Sequence, residues 1–257
     1  MNWLASPEIT HLREQQPDNP ATMQLSDFEN PHDAFFWLGY FSTNPTNTTS
    51  STAESVQEEN LCEHAHYCVF DTETSGLSGR DCVIQFAIGF YDRDGSQIGF
   101  YDRLWKLPSD LRISEGSFKV HKISMQRLNQ EGCETSIEIE KIMKYMEEMR
   151  RRKKMIIAHN ASFDLRMLAQ TARCWGKIWS ISADDVFCTM KSSKVHCGLT
   201  SLKTGRPKAP SNTELYEMLT GEKVATEGLH NALFDISLTS TSFFKGVMRG
   251  WWSYEIT

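Results

Sequence analysis

The chain has 257 residues, of which 40% are hydrophobic, so it has room for one large domain with an appendage and a sizeable core. No uncharged apolar run approaches the roughly 18 residues that a membrane-spanning helix needs, so we expect no membrane segment. The net charge of −6 is divided unevenly: residues 1–66 hold ten acidic side chains and one basic one, whereas residues 67–257 hold 23 acidic and 26 basic ones. The second part is therefore mildly basic, which favours contact with a few phosphates and argues against a protein that coats a long duplex.

Residues 1–60 are predicted to form an N-terminal extension. The aromatic segment 33–41 has the sequence DAFFWLGYF and is too apolar to stay fully exposed. Residues 42–60 are polar and nearly free of apolar side chains, so we predict a disordered linker. Two interpretations of the aromatic segment remain open: a short helix that folds back onto the following domain, or the docking of a protein partner by residues 30–41.

Cysteine usage and the first residues bear on the cellular compartment. The seven cysteines form no Cys-x-x-Cys pair, which is typical of a reducing environment. Residues 1–8 show no basic region followed by an apolar stretch, so we expect no secretory signal. These observations predict an intracellular protein, cytoplasmic or nuclear.

From residue 67 onward, β-prone runs separated by turns are followed by alternating helices and strands. Strands are predicted at 67–70, 82–91, 97–105, 155–158 and 186–189, with a hairpin turn at 92–95. Helices are predicted at 134–152, from 163 onward, and at 198–204, 212–220 and 231–249. Three antiparallel strands followed by helix–strand units indicate an α/β domain.

Acidic side chains stand where three of these elements begin or end. Asp71 and Glu73 follow a short β-prone run, and residues two apart on a strand point to the same face. Asp164 follows the strand at 155–158, and Asp235 comes five residues after His230 on the last helix. Four carboxylates and a histidine from three distant segments indicate a site for a divalent metal, because hard cations such as Mg²⁺ prefer oxygen ligands.

The three segments resemble the exonuclease motifs of the DEDDh family of 3′–5′ exonucleases, which includes proofreading subunits and RNase T-like ribonucleases. The segments are FDTETSGL at 70–77, HNASFD at 159–164, and His230 with Asp235. The resemblance covers about residues 66–250. It implies an RNase H-like fold: an α/β domain at 61–250 whose mixed five-stranded sheet is flanked by helices, with a flexible acidic extension before it and a short tail at 251–257.

The resemblance also implies roles for the five motif residues. Asp71 is expected to bridge two metal ions, Glu73 and Asp235 to complete the site on the side of the nucleophile, and Asp164 to hold the second ion. His230 is expected to take the proton from the attacking water. The implied cofactor is a pair of Mg²⁺ ions, for which we expect Mn²⁺ to substitute.

Substrate contacts follow from the same resemblance. Thr74, Ser75, Gly76 and Leu77 are expected to line the pocket of the terminal nucleotide, with Gly76 allowing close backbone approach and Leu77 acting as an apolar wedge. Phe163 has two open interpretations: it stacks on a base or packs in the core. These contacts do not distinguish bases, so we expect weak sequence preference.

Two groups of basic residues, and one position that departs from the family pattern, also bear on function. Arg206, in the stretch before the third motif, is expected either to contact the substrate backbone or to lie on an exposed loop. The basic run RRRKK at 150–154 is either a solvated helix end or a nucleic-acid or nuclear-address patch. In VHKIS at 120–124 the family glycine is Lys122, so we expect that loop to differ in shape.

Together these features predict a metal-dependent enzyme that removes nucleoside 5′-monophosphates from the 3′ end of single-stranded nucleic acid. RNA and DNA remain open as substrates, since family members with these motifs handle both. The alternative is an accessory or proofreading-type module that acts mainly by binding a polymerase or another partner. The resemblance also allows for a homodimer.

Overall fold

The computed structural model describes residues 61–224 and 230–253. The aromatic segment and the linker predicted within residues 1–60 lie outside these ranges, as does most of the tail predicted at 251–257. Among the described helices, none has both the length and the apolar character that a membrane span requires.

The domain is organised around a five-stranded mixed sheet, as predicted. The strands are β1 (Tyr67–Thr74), β2 (Val83–Tyr91), β3 (Gln97–Leu104), β4 (Met155–Ala158) and β5 (Val186–Cys188). Their order across the sheet is β3-β2-β1-β4-β5. The pairs β1–β2 and β2–β3 are antiparallel, whereas β1–β4 and β4–β5 are parallel. This topology confirms the predicted RNase H-like architecture and places β1 at the centre of the sheet.

Helices cover both faces of this sheet. They are α1 (Glu115–His121), α2 (Met125–Glu131), α3 (Thr135–Arg151), α4 (Ala161–Cys174), α5 (Thr189–Cys197), α6 (Asn212–Thr220) and α7 (Ala232–Met248). Phe70 on β1 packs in one core with Ile139 of α3 and Leu168 of α4, whereas Val69 packs in a second core with Ile236 of α7. Because successive side chains of a strand point to opposite faces, β1 is apolar at consecutive positions until its acidic end.

Several helices differ from the sequence prediction. The helix predicted at 198–204 is wrong: α5 ends at Cys197, and Gly198 with φ 59° terminates it. Residues 200–207 instead form a tight turn, in which Thr200 pairs with Pro207 and the Ser201 N–H donates to the Arg206 carbonyl over 2.9 Å. The helix predicted from 163 begins two residues earlier, at Ala161.

The short helices α1 and α2 were not predicted, because seven residues are too few to show an apolar period. Each begins after a serine whose side chain accepts a backbone N–H of the first turn, Ser114 for α1 and Ser124 for α2. Lys122, at the end of α1, adopts φ 60° and donates its N–H to the Phe118 carbonyl. This lysine therefore occupies the left-handed conformation that a glycine enters without steric cost.

Candidate active site

The acidic end of β1 meets the beginnings of α4 and α7. Asp71 and Glu73 lie on the face of β1 that α7 covers, and Asp235 lies in the first turn of α7. Ligand atoms of Glu73, His230 and Asp235 all lie within 4.8 Å of one another. Asp71, His230 and Asp235 also line a cleft of about 170 Å³. The third motif therefore lies against the first in this structure.

Thr72 joins the first motif to the second. Its side chain points to the opposite face of β1 from Asp71 and Glu73, and its Oγ1 donates to Asp164 Oδ1 over 2.7 Å. Asp164 lies in the first turn of α4 and is only 2% exposed, and its negative charge raises the pKa of Asp71. All four predicted carboxylates are therefore within electrostatic reach of one another.

The beginning of α7 is held by a set of hydrogen bonds. Asn231 caps the helix, because its Oδ1 accepts the N–H groups of Leu233 and Phe234 over 3.0 and 3.4 Å. Asn212, at the first position of α6, donates its Nδ2 to the Asp235 carbonyl over 3.0 Å. The sequence offered a signal for Asn231, an asparagine at the start of a predicted helix, but none for the bond of Asn212, whose partner is 23 residues away.

The four carboxylates share an unfavourable environment. Burial raises the pKa of Asp71 well above its ordinary value, and the charges of Asp164, Asp235 and Glu73 raise it further. Burial, followed by the charges of Asp235 and Asp164, raises the pKa of Glu73 to about 9. Burial likewise raises the pKa of Asp164 and that of Asp235 to about 7 each. Without a counter-charge, the site therefore disfavours full ionisation at neutral pH.

These residues fit a divalent metal site. Carboxylate oxygens are the ligands that hard cations prefer, and a cation among them would offset the mutual repulsion that raises their pKa values. The N–H of His230 and the side chain of Asn212 donate to Asp235 and lower its pKa, which offsets only part of the effect of burial. The donor set and the uncompensated charge thus agree with the predicted cofactor class.

His159, from the second motif, also lines the cleft, although the sequence did not single it out as a site residue. Its Nε2 lies 3.2 Å from the Pro210 carbonyl and its Nδ1 lies 3.0 Å from Thr189 Oγ1. A carbonyl only accepts, so Nε2 carries the hydrogen and Nδ1 accepts from the threonine hydroxyl. Burial lowers the pKa of His159 to about 4, so the ring is neutral and anchors the loop that leads into α6.

His121 connects α1 to the end of β1. Its Nδ1 accepts the Ile123 N–H over 3.0 Å, so its Nε2 carries the hydrogen and donates to the Thr74 carbonyl over 3.3 Å. The Ser114 N–H donates to the Ser75 carbonyl over 2.7 Å. Both ends of α1 are thus fastened to the segment that the sequence predicted to bind the terminal nucleotide.

That predicted segment is a tightly bonded loop. Thr74 and Ser75 are buried, with Thr74 Oγ1 donating to the Gly76 carbonyl over 3.0 Å and Ser75 Oγ to Asp81 Oδ1 over 2.8 Å. A Cβ added at Gly76 would lie 2.5 Å from Asp81 Oδ2, so a larger residue at this position would have to displace the Asp81 carboxylate. The side chain of Leu77 is 72% exposed. Of the three side chains in this segment, only that of Leu77 projects into solvent, where an apolar wedge would have to be.

Two other predicted substrate contacts are not among the residues that line the cleft. Phe163 is partly buried against the core of α3 and α4, and the guanidinium of Arg166 lies 5.3 Å from its ring centroid. This placement favours the core interpretation of Phe163. Arg206 lies exposed in the turn at 200–207, and its substrate contact remains a prediction.

The fold is similar to that of solved exonucleases. A structure of exonuclease I matches with a TM-score of 0.58 at 17% identity over 71% of this chain and 40% of that chain. Escherichia coli exonuclease I with a 5cy-dT13 oligonucleotide matches with a TM-score of 0.58 at 18% identity, with the same two coverages. The zinc-bound complex of the same enzyme with single-stranded DNA matches with a TM-score of 0.56 at 17% identity, again over 71% and 40%. The chain thus spans less than half the length of these proteins, and the similarity establishes the fold.

Sequence comparison identifies the family. None of the curated proteins matches the chain significantly. The RNase T family model, described as an exonuclease, matches residues 68–243 of the 257 and so includes all three motif segments. This match confirms both the predicted relationship to 3′–5′ exonucleases and the predicted class of enzyme. The chain therefore belongs to the RNase T exonuclease family.

Proposed function

We propose that the protein hydrolyses the terminal phosphodiester bond at the 3′ end of single-stranded nucleic acid and releases nucleoside 5′-monophosphates. The observation that carries this proposal is that Asp71, His230 and Asp235 line one cleft, with Glu73 close to His230 and Asp235. The buried Asp164 lies near enough for its charge to raise the pKa of Asp71, after the larger effect of burial. The oligonucleotide and single-stranded DNA complexes of exonuclease I support the choice of a single-stranded substrate.

Asp71, Glu73, Asp164 and Asp235 would hold the metal, because their carboxylates lie within electrostatic reach of one another. When bound, two divalent cations supply a hydroxide near neutral pH and stabilise the anionic transition state. Other residues would position these ligands: Thr72 orients the Asp164 carboxylate, and Asn212 holds the backbone carbonyl of Asp235. These hydrogen bonds fix the ligands before the substrate arrives.

His230 would be the proton acceptor. It lies exposed at the cleft, with a ligand atom within 4.8 Å of those of Glu73 and Asp235, and its backbone adopts φ 62°. Imidazole exchanges a proton readily near neutral pH, so His230 would accept the proton of the attacking water at this edge of the cleft. Leu77 would contact the terminal base without reading its hydrogen-bonding edge, which leads to weak base preference.

A role limited to partner binding does not account for the acidic cluster. Four carboxylates that are partly or fully buried and repel one another destabilise the folded chain at neutral pH, and a scaffold has no need of them. Catalysis explains why such a cluster is retained, since perturbed ionisable groups gather where chemistry requires them.

The test is a time course with 5′-labelled single-stranded RNA and DNA of one sequence, in Mg²⁺, in Mn²⁺ or in chelator. We expect metal-dependent shortening from the 3′ end that an Asp71→Ala/Glu73→Ala variant lacks. The matched control is Asp92→Ala/Asp94→Ala, which removes two exposed acids of the same spacing from the β2–β3 turn. Intact substrate in every metal would overturn the proposal, and the faster substrate would identify the preferred nucleic acid.

A further inference from the structure

Gln85 is a buried polar residue beside the metal-binding carboxylates that has no assigned role. It lies on β2, is 4% exposed, and stands directly opposite Glu73 in the antiparallel register of β1 and β2. Opposite residues of an antiparallel pair share a face, so the Gln85 amide lies on the same side of the sheet as Glu73. This is the face that α7 covers.

The two ends of the Gln85 amide have different partners. Its Nε2 donates to Asp102 Oδ1 over 2.9 Å, and its Oε1 accepts the Ala232 N–H over 3.4 Å. Asp102 lies on β3 opposite Ala87, and therefore diagonally next to Gln85 on the same face. The hydrogen-bond chain thus runs from the outer strand β3, through β2, to the first residue of α7.

Ala232 is the first residue of α7, where backbone N–H groups need partners from outside the helix. The first N–H groups of a helix have no partner within the helix, and in α7 those of Leu233 and Phe234 are satisfied by Asn231 while that of Ala232 is satisfied by Gln85. His230 precedes this turn and Asp235 lies within it. A shift of the beginning of α7 would therefore move both His230 and Asp235 relative to Glu73.

Asp102 determines which end of the Gln85 amide faces α7. An amide can present either its oxygen or its nitrogen to a partner, whereas an ionised carboxylate only accepts. With Nε2 directed to Asp102, Oε1 is left to face the Ala232 N–H. Without Asp102, the amide would be free to rotate and present its NH₂ group to the N–H of α7, which is repulsive.

We propose that Gln85 and Asp102 form a positioning pair that holds the beginning of α7, and with it His230 and Asp235, in register with Glu73. This inference rests on the proposed function. The pair contacts neither the substrate nor the metal; it acts through the backbone of α7. Partners of this kind around metal ligands change metal affinity or activity by about 10–100-fold when they are removed.

The test compares Gln85→Met, which has a similar volume and neither hydrogen bond, with the unsubstituted full-length chain. Mn²⁺ binding is measured by calorimetry without substrate, and kcat and KM are measured on a single-stranded oligonucleotide. We expect the Kd for Mn²⁺ to rise about tenfold and kcat to fall about tenfold, with KM within twofold, because the ligands are displaced while the substrate surface is intact.

Tyr101→Phe is the matched control. Tyr101 neighbours Asp102 on β3 but points to the opposite face, where its hydroxyl donates to Glu138 over 2.6 Å and accepts from Trp105 Nε1 over 2.8 Å. This variant also loses buried hydrogen bonds, so we expect a lower melting temperature with Mn²⁺ binding and kcat within twofold of the unsubstituted protein. It separates positioning from a general loss of stability.

A double-mutant comparison tests the link between the pair. Asp102→Leu should lower kcat and weaken Mn²⁺ binding, and Gln85→Met/Asp102→Leu should be no worse than Gln85→Met alone. Additive effects of the two substitutions, or Mn²⁺ binding and kcat within twofold of the unsubstituted protein in Gln85→Met, would overturn the proposal. Asp102 is only half-buried, so Asp102→Leu provides the decisive measurement if Gln85→Met does not fold. If the unsubstituted protein degrades no substrate, the proposed function fails, but Mn²⁺ binding still tests the effect of Gln85 and Asp102. Failure of the proposed function and failure of the positioning proposal are therefore distinguishable.

Discussion

Neutralising one buried carboxylate should stabilise the metal-free protein at alkaline pH. Asp164 is 2% exposed, and burial raises its pKa from an ordinary 3.8 to about 7. A group whose pKa is higher in the folded than in the unfolded state contributes stability below its unfolded pKa and loses it as the pH rises through the folded one. The chain should therefore lose stability between about pH 4 and pH 8 in chelator, with Asp164 responsible for part of that loss.

The magnitude follows from the shift. A pKa change of about three units corresponds to about 4 kcal/mol, and the falling pKa values of the neighbouring acids reduce the gain, so we expect Asp164→Asn to be about 2–4 kcal/mol more stable at pH 8.5. For a domain of this size that is roughly 4–16 °C in Tm. The asparagine keeps an oxygen to accept from Thr72 Oγ1, so the geometry is retained.

Thermal unfolding by circular dichroism at pH 5.5 and 8.5, in chelator and in Mg²⁺, measures these effects. Mg²⁺ at about 100 times its Kd should add about 2.7 kcal/mol to the unsubstituted protein at pH 8.5 and less at pH 5.5, where protons compete for the same carboxylates. Asp184→Asn, an exposed acid outside the site, should leave the pH profile unchanged. An Asp164→Asn variant that is less stable than the unsubstituted protein at pH 8.5 in chelator would refute the reasoning.

Three further predictions concern the proton acceptor, the end of α1 and the turn at 200–207. His230→Ala should lower kcat by about 10²–10⁴-fold. His64→Ala, which removes an exposed histidine that is not a site residue, should leave kcat unchanged in the same assay. Lys122→Gly should raise the free energy of unfolding by about 1 kcal/mol, because glycine adopts φ 60° without strain; a denaturant titration with a lower midpoint would contradict this. Arg206→Glu should weaken oligonucleotide binding and reduce the slope of log K against log salt by at least about 0.7, whereas Arg93→Glu on the β2–β3 turn should not; equal slopes in both would remove Arg206 from the interface.

The site could be predicted from sequence to the extent that its chemistry is local. The spacing of Asp71 and Glu73 places both on one face of a strand, and β1 continues through both residues. The Asp164 and Asp235 segments stand at helix starts, and both residues lie in first turns. Each of these inferences needed only a few consecutive residues, and the resemblance supplied the order in which the segments meet.

What could not be predicted depends on contacts between distant residues. Gln85 forms a hydrogen bond with Ala232, 147 positions away, and Thr72 forms one with Asp164, 92 positions away. No local sequence pattern identifies either partner. The helix predicted at 198–204 was wrong because Gly198 ends α5 and Leu202, within the predicted range, is fully exposed and packs against nothing that would hold a helix there. Propensity alone did not show which side of the glycine was helical.

The unequal surroundings of the carboxylates indicate which of them depends most on a cation. Thr72 donates to Asp164, and the neighbouring His230 N–H and Asn212 side chain lower the pKa of Asp235, so burial raises both pKa values only to about 7. Within the described ranges no group donates to the Glu73 carboxylate, and its pKa reaches about 9 through burial and the charges of Asp235 and Asp164. A carboxylate without donors has only a metal to stabilise its charged form, so Glu73 is the position where ionisation and metal binding are most closely linked. The opposite strand places Gln85 beside this carboxylate, but the Gln85 amide bonds to Asp102 and Ala232, so the oxygens of Glu73 stay available to the proposed metal.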